Sequence, residues 1–358
     1  MNKIIFGDCR DTMRELIAQG VKVQMCVTSP PYFGLRDYGH PGQLGLEQTP
    51  DEYVAAMVEV FSLVWYLLAD DGVLWLNLGD SYSGAGPSGA SYESETTKRR
   101  AEMSSEGAFR ISKTLAARGL TYAEKKPVPP PGLKKKDLIG IPWRVAFALQ
   151  AAGWYLRQDI IWHKPNPMPE SVTDRCTKAH EYMFLLSKSE RYFFDSGAIK
   201  EQSVTDDIRR PYGSKGAWDL DGRPEEQRPN GKPRGKGGKN AFRGQGHFRS
   251  ADTGPANREG RDMADVGAGE TRNRRSVWTV PTQPYNGAHF ATFPPALIEP
   301  CILAGSRAGD VVLDPFFGSG TTGQVAQHLG RQWIGCELNQ DYEPLQKERT
   351  AQCGLAFA

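Results

Sequence analysis

The sequence lacks paired cysteines, a signal peptide and a membrane-spanning apolar stretch, three patterns that would each indicate a particular class of protein. Its six cysteines are scattered and form no CxxC pair, which argues against a disulfide framework and against a zinc site. Residues 1–11 have no signal-peptide pattern, and the most apolar stretch, residues 58–69, is too short to span a bilayer. These absences predict a cytoplasmic protein with no bound metal and no membrane partner.

An excess of charge of one sign is missing as well. With 44 Lys and Arg residues against 42 Asp and Glu residues, the formal net charge is only +2, which by itself does not indicate a nucleic-acid partner. The basic residues are instead concentrated in Gly-rich stretches. The 358 residues are enough for a catalytic domain with a smaller appendage, and no internal repeat is visible.

Short apolar segments alternate with amphipathic segments along most of the chain. Helical patterns occupy residues 10–19, 51–68 and 323–329, among others. The predicted strands are residues 3–6, 23–27, 72–78, 155–162, 182–187, 311–313 and 332–336. This alternation predicts an α/β fold with a parallel sheet and crossover helices.

Two regions, residues 81–136 and 201–275, break the alternation. Both are rich in Gly and charged residues, and the second is poor in aliphatic residues, so neither can support a large core of its own. We interpret the first as a mobile insertion and the second as a loop-rich module that orders on a polyanion; two solvated loops are the alternative. The basic side chains that fit phosphate neutralisation are Lys232, Arg234, Lys236, Lys239, Arg243 and Arg249.

A glycine-containing turn follows the predicted strand at residues 311–313. It reads Asp-Pro-Phe-Phe-Gly-Ser-Gly-Thr-Thr over residues 314–322. Its glycines allow the backbone to turn sharply and to approach a ligand closely. Glu337, which ends the next predicted strand, is placed to accept hydrogen bonds from a ribose diol. The turn and this carboxylate together indicate a nucleoside site.

A second motif, Ser29-Pro30-Pro31-Tyr32, comes directly after the predicted strand at residues 23–27. The two prolines fix φ and remove two N–H donors. Ser29 Oγ and the Pro30 carbonyl then form a rigid pair of acceptors for both hydrogens of an amino group, and Tyr32 offers a flat face on which a base can stack. A simple strand-end turn is the alternative.

In this order the two motifs resemble those of the β class of DNA amino-methyltransferases. The resemblance implies a Rossmann-like seven-stranded methyltransferase sheet with one antiparallel strand and flanking helices, and a loop-rich target-recognition region. It implies a catalytic domain in two parts, residues 1–200 (with the insertion at about 81–136) and 276–358, around a target-recognition region at residues 201–275. The implied cofactor is S-adenosyl-L-methionine, and the implied substrate is double-stranded DNA.

The resemblance also implies residue roles. Ser29, Pro30, Pro31 and Tyr32 are the catalytic residues, which orient the amino group of a flipped base for direct attack on the methyl group. The implied cofactor-binding residues are Asp8, Cys9, Phe290, Asp314, Phe316, Phe317, Gly318, Ser319, Gly320, Thr321, Thr322, Glu337 and Asn339. Residues 162–169 and 179–181 are similar to the segment that lines the flipped-base pocket, and Lys164 joins the six basic residues above as a DNA contact.

Several alternatives remain open at this stage. Adenine N6 and cytosine N4 present similar edges, so the acceptor pair does not choose between them, although a Ser-Pro-Pro-Tyr motif is commoner among cytosine-N4 enzymes. RNA or protein-glutamine methylation, and an inactive DNA-binding regulator, are disfavoured by the motif order and by the intact motifs. A homodimer and a cognate restriction endonuclease are both compatible with the resemblance, as is an enzyme without such an endonuclease.

Pro300-Cys301 resembles the nucleophile of C5-cytosine methyltransferases. In that family the cysteine follows the glycine motif, whereas Cys301 precedes it and lies in an apolar, helical pattern. We therefore predict a buried thiol with no catalytic role. His163 and His180 are not at metal-ligand spacing and are predicted to have structural or substrate-positioning roles.

Overall fold

The computed structural model describes residues 2–35, 39–40, 42–84, 129–202, 271–283 and 293–351. The strands are β1 (Lys3–Phe6), β2 (Val23–Thr28), β3 (Leu68–Leu78), β4 (Tyr155–His163), β5 (His180–Ser187), β6 (Glu201–Gln202), β7 (Thr271–Arg272), β8 (Val277–Thr279), β9 (Val311–Asp314) and β10 (Gln332–Glu337). The helices are α1 (Cys9–Ala18), α2 (Pro50–Leu67), α3 (Ile141–Ala151), α4 (Pro295–Gly305), α5 (Thr321–His328) and α6 (Glu343–Ala351), with a 3₁₀ turn at Gln340–Tyr342.

The chain divides into two compact units, Met1–Lys200 with Asn273–Ala358, and Glu201–Arg272. Within the second unit, the described strands β6 and β7 pair antiparallel, and Arg272 Nε lies 2.8 Å from Glu201 Oε1 in an ion pair. The predicted role of this unit in target recognition stays a prediction.

The first unit is built on one sheet with the strand order β1-β10-β9-β2-β3-β5-β4-β8. Strand β5 runs antiparallel to its neighbours β3 and β4, and the other neighbouring strands are parallel. The expected Rossmann-like sheet with one reversed strand is confirmed. The expected number of seven strands is wrong by one, because β8 extends the edge beside β4, and a three-residue segment has no readable period.

Most predicted elements lie close to their expected bounds. Helix α2 begins with a capping box, in which Thr49 Oγ1 accepts a hydrogen bond from Glu52 N (3.2 Å) and the Glu52 carboxylate accepts one from Thr49 N (3.1 Å). Strand β3 differs, since it begins at Leu68, four residues earlier than predicted. Asp70 and Asp71 interrupt the apolar run there and conceal the start of the strand.

Apolar cores lie on both faces of the sheet. Along β3, Leu74 and Leu76 pack into the core shared with α1, α2 and α3, whereas Val73 and Trp75 point into the core shared with α4 and α5. Burial on both faces explains why the strands read as continuous apolar runs. Among the helices that the structure describes, none combines the length and the apolar character that a membrane crossing requires.

The parallel pairing brings the carboxyl ends of β1, β10, β9 and β2 to one edge of the sheet. Asp8 follows β1, Glu337 ends β10, Asp314 ends β9 and Ser29 follows β2. Segments from the two ends of the chain therefore meet at this edge, outside which ligands bind in open α/β sheets.

Candidate active site

One cleft opens at this edge of the sheet and joins the two motifs. Its lining includes Ser29 and Pro31 from the first motif as well as Gly318 from the glycine turn and Glu337. Its empty volume is about 1130 Å³, including the solvent-filled mouth, which is ample for a nucleoside-sized ligand. Of the four predicted catalytic residues, Ser29 and Pro31 thus border the cleft, whereas Pro30 and Tyr32 are not part of its lining.

Most of the predicted cofactor residues line this cleft. Those that do are Asp8, Cys9, Asp314, Phe316, Phe317, Gly318, Ser319, Thr321, Glu337 and Asn339. Gly320 and Thr322 do not: Gly320 precedes α5 with a φ of 87°, and Thr322 is buried beneath the turn. Phe290 and the six basic residues between Lys232 and Arg249 lie outside the described residues.

Another part of the lining could not be predicted from any sequence pattern. His40, Gly42, Gln43 and Leu44, from the segment between β2 and α2, border the cleft, as does Tyr342 near the C-terminus. These residues belong to no motif and no periodic pattern. Only the tertiary fold brings them to the cleft.

The Asp314 carboxyl group links the glycine turn to the end of β2 through hydrogen bonds. Its Oδ1 accepts hydrogen bonds from Thr28 Oγ1 (2.6 Å) and from Phe316 N (3.0 Å), and its Oδ2 accepts one from Thr322 Oγ1 (2.6 Å). Burial raises the pKa of Asp314 to about 6, against the opposing effect of these hydrogen bonds. Thr28 immediately precedes Ser29, so this carboxyl group fixes the end of β2 relative to the glycine turn.

Glu337 presents a carboxyl group to the cleft with a fixed orientation. Its Oε2 accepts a hydrogen bond from Gly318 N (2.7 Å) and its Oε1 accepts one from Asn339 N (2.8 Å). Burial raises the pKa of Glu337 to about 7. Each carboxylate oxygen has a second lone-pair site, so the group can also accept hydrogen bonds from the two hydroxyls of a ribose. The residues present therefore fit a nucleoside cofactor.

Helix α6 forms hydrogen bonds to the glycine turn. Gln346 is fully buried, and its Nε2 donates a 2.6 Å hydrogen bond to the Gly318 carbonyl. Arg349 Nη1 lies 3.0 Å from Ser319 Oγ and also bonds Thr321 Oγ1. Neither Gln346 nor Arg349 was singled out in the sequence, because a polar residue in a short, mostly polar helix carries no distinguishing signal.

Two of the predicted cofactor residues have evident structural partners. Phe317 is 3% exposed and stacks on Trp333 with ring centroids 5.0 Å apart, so most of its ring belongs to the core beneath the cleft. Asp8 caps α1 by accepting from Arg10 N (2.8 Å) and forms an ion pair with the Arg10 guanidinium (2.5 Å). That guanidinium holds the pKa of Asp8 below its usual value.

At the Ser-Pro-Pro corner, the Ser29 hydroxyl is oriented by Asn77. Ser29 Oγ lies 3.2 Å from Asn77 Oδ1, while Asn77 Nδ2 donates to the Tyr182 carbonyl (3.0 Å) and so fixes the amide. When Ser29 donates its proton to Asn77, the lone pairs of its own oxygen stay available as acceptors. Asn77 was missed in the sequence, although it is the one polar residue in the apolar run over residues 73–78.

The two proline carbonyls have different surroundings. The Pro31 carbonyl accepts a 2.8 Å hydrogen bond from Tyr53 Oη. The Pro30 carbonyl accepts none from the residues that the structure describes. The Pro30 carbonyl thus has no described donor, and its predicted role as an amino acceptor beside Ser29 Oγ stays a prediction.

Tyr32 is anchored through its hydroxyl rather than free at the surface. Its Oη lies 2.8 Å from Glu181 Oε2 and 3.0 Å from Asn77 Oδ1, and burial raises the pKa of this phenol, so it stays a neutral donor. The ring packs closely on Gly79, where an added Cβ would lie 2.5 Å from Tyr32 Cε2. A glycine is therefore required at position 79 for the ring to keep this position.

Lys164, predicted as a DNA contact, is engaged within the protein. Its ammonium forms an ion pair with Glu181 and lies 4.2 Å from the centroid of the Trp162 ring. Because Glu181 also accepts from the Tyr32 hydroxyl, this carboxylate links Lys164 to the Ser-Pro-Pro corner. Its contact with DNA stays a prediction.

Cys301 lies away from the cleft. It is fully buried in α4, and desolvation raises the pKa of its thiol, which disfavours the thiolate that a covalent mechanism needs. This agrees with the predicted buried thiol. In the described part of the chain, no group of three His, Cys, Asp or Glu side chains could hold a metal ion.

A Rossmann-like sheet with one reversed strand, and a cleft that fits a nucleoside at the carboxyl ends of its parallel strands, is the arrangement of an S-adenosylmethionine-dependent methyltransferase. The family model described as DNA methylase, of the N6/N4 type, matches residues 23–348. The chain belongs to the N6/N4 DNA methylase family, and it is an S-adenosylmethionine-dependent DNA methyltransferase.

Individual relatives agree with this assignment. The chain is 42% identical over 347 residues to Type II methyltransferase M.SmaI of Serratia marcescens, covering 97% of this chain and 90% of that protein. It is 41% identical over 336 residues to Type II methyltransferase M.Cfr9I of Citrobacter freundii, covering 94% and 83%. A solved structure of PvuII DNA methyltransferase (cytosine-N4-specific) has a similar fold, with a TM-score of 0.53 at 17% identity, covering 99% of this chain and 88% of that one.

Proposed function

We propose that the enzyme flips its target base out of duplex DNA and methylates the exocyclic amino group at the corner formed by Ser29 and Pro30. The observation that carries this proposal is that Ser29 and Gly318 line one cleft, although they come from opposite ends of the chain. A base held at Ser29 therefore faces a cofactor held at the glycine turn.

The protein's own contribution is orientation. The lone pair of an aromatic amino group is delocalised into the ring, so the nitrogen is a poor nucleophile. Ser29 Oγ and the Pro30 carbonyl accept its two hydrogens and turn the lone pair out of the ring plane toward the cleft. Bound S-adenosylmethionine supplies an electrophilic methyl group and a neutral leaving group. No covalent nucleophile is needed, and the proton passes from the methylated nitrogen to solvent.

The cofactor roles follow from the same cleft. Glu337 accepts hydrogen bonds from the ribose hydroxyls, and Gly318 provides the close backbone approach beside it. Asp8 and Phe316 also line the cleft, and in this proposal they would contact the adenosine moiety. Gln346 positions Gly318 without touching the cofactor.

We infer that the methylated atom is N4 of cytosine. One observation supports this choice: the motif begins with Ser29, and a Ser-Pro-Pro-Tyr start is commoner among cytosine-N4 enzymes. Adenine N6 is the alternative, because residues 162–169 and 179–181 also resemble elements of adenine-N6 enzymes.

The target sequence is read by residues 201–275, whose basic side chains neutralise backbone phosphates while Arg reads guanine edges. The relatives described as Type II methyltransferases support a role in restriction and modification, with a cognate endonuclease that spares the methylated site. A homodimer would allow one subunit to hold DNA for the other.

Methyl transfer itself tests the proposal. The enzyme is incubated with duplex DNA and cofactor carrying a labelled methyl group, the DNA is digested to nucleosides, and the product is identified by mass. We expect N4-methylcytosine. N6-methyladenine would overturn only the choice of base, whereas label in RNA or protein but not in DNA would overturn the whole proposal. Sequencing the modified positions gives the recognition sequence.

A further inference from the structure

An exposed methionine stands out in the segment between β4 and β5. Met168 is 83% exposed, the largest fraction among the large apolar side chains of the described residues. Single exposed apolar residues are common and need no explanation by themselves. The surroundings of Met168, rather than its exposure alone, point to a role.

The loop that carries Met168 is held rigidly at both ends. On one side, Asn166 Nδ2 donates to the Thr282 carbonyl (3.1 Å) and Asn166 Oδ1 accepts from Thr282 N (3.0 Å). On the other side, the two carboxylate oxygens of Glu170 accept from the Arg175 guanidinium at 2.8 and 3.2 Å. Two-point hydrogen bonding of this kind fixes orientation as well as distance.

Proline flanks the methionine on both sides. Pro167 and Pro169 fix φ and provide no N–H group. The tip of the loop therefore presents an apolar side chain whose two neighbours have no amide donor, so that only the N–H of Met168 itself would lose water. Such a tip is suited to insertion into an apolar space rather than to hydrogen bonding.

The loop leaves the sheet beside the target-base corner. Lys164 N donates to the Ala179 carbonyl (2.8 Å) and closes the base of the loop, where Glu181 reaches Tyr32 of the Ser-Pro-Pro corner. Met168 is four residues from Lys164, and so within about 14 Å of it along an extended chain. Met168 thus stands on a loop whose base adjoins the Ser-Pro-Pro corner.

We propose that Met168 is a wedge that enters the DNA base stack and occupies the space vacated by the flipped base. An unbranched thioether adapts to an irregular gap, and apolar side chains inserted between base steps are a known means of unstacking DNA. Filling the gap opposes the return of the base and so raises the fraction of complexes in which it lies in the pocket. This inference rests on the proposed function.

Methylation of two duplexes by Met168→Ala tests the wedge. The first is a fully paired duplex with the recognition sequence, and the second has an abasic position opposite the target base, which lowers the cost of flipping. We expect kcat/KM on the paired duplex to fall roughly tenfold or more, and the loss to shrink on the abasic duplex. Met168→Leu restores most of the rate because it restores the apolar volume.

Controls separate the wedge from other causes. Tyr66→Ala truncates another exposed apolar side chain, 63% exposed at the end of α2, and should leave both rates unchanged. Cofactor affinity should be the same in all variants. Wild-type rates for Met168→Ala on the paired duplex, or an equal loss on both duplexes, would overturn the wedge. Failure of the proposed function is distinct, since the wild-type enzyme would then methylate neither duplex.

Discussion

Replacing Ser29 with alanine tests the proposed acceptor pair, because the variant is expected to lower the rate of methyl transfer more than it lowers the free energy of unfolding. The variant loses an oxygen that lies 3.2 Å from Asn77 Oδ1 and 3.3 Å from Tyr32 Oη. The Tyr32 hydroxyl has a single proton, which Glu181 Oε2 (2.8 Å) and Asn77 Oδ1 (3.0 Å) share, so Asn77 Oδ1 loses the donor it has to itself when the Ser29 hydroxyl is removed. The expected cost in unfolding free energy is therefore that of a buried acceptor losing its partner, about 1–3 kcal/mol.

The expected loss of activity is larger than this cost in stability. Removing one preorganised hydrogen-bonding group that acts on the reacting atoms typically lowers kcat by roughly 10²–10³-fold, equivalent to about 2.7–4 kcal/mol of barrier. The amino group would keep the Pro30 carbonyl but lose the second acceptor that orients its lone pair. We expect kcat for methyl transfer to fall by this factor, while the Kd of S-adenosylmethionine, measured by calorimetry, stays unchanged.

Ser62→Ala is the matched control for this experiment. Its hydroxyl donates to the Val58 carbonyl within α2, so the same atom is removed far from any motif. The control should retain wild-type kcat. A loss of less than about threefold in Ser29→Ala, well below the range for a preorganised group, would show that Ser29 does not orient the amino group. A parallel loss of cofactor affinity would place Ser29 on the cofactor side instead.

Three further predictions concern Glu337, Cys301 and residues 230–249. Burial raises the pKa of Glu337 to about 7, and the ribose hydroxyls donate to its ionised form. The affinity for the cofactor should therefore rise as pH increases through about 7. In Glu337→Gln, calorimetry should give weaker cofactor binding with a flatter pH profile. Cys301→Ser should keep most of the methylation rate, since the thiol is buried in α4; complete loss with an intact fold would revive a covalent C5 mechanism. Deleting residues 230–249 should abolish specific DNA binding in a gel-shift assay but leave cofactor binding intact, and unchanged DNA affinity would refute the recognition role.

The main elements of the fold and both motifs could be predicted from the sequence because they depend on local chemistry. A strand that is buried on both faces reads as a continuous apolar run, and the capping box of α2 lies within four consecutive residues. The two prolines fix the backbone of their own segment wherever it is placed. The short strand β8 and the early start of β3 escaped prediction, since pairing with a neighbour, rather than a local pattern, defines them.

The hydrogen bonds that hold the site residues in place are determined by the tertiary structure and could not be predicted from the sequence. Thr28 and Asp314 are 286 positions apart, and Tyr32 and Glu181 are 149 apart, yet both pairs are hydrogen-bonded at the site. Asn77, Gln346 and the cleft-lining segment near His40 have their roles because parallel strands and the last helix converge at one edge of the sheet. A sequence specifies the chemistry of such side chains, but the distance between two of them exists only once the chain between them has folded.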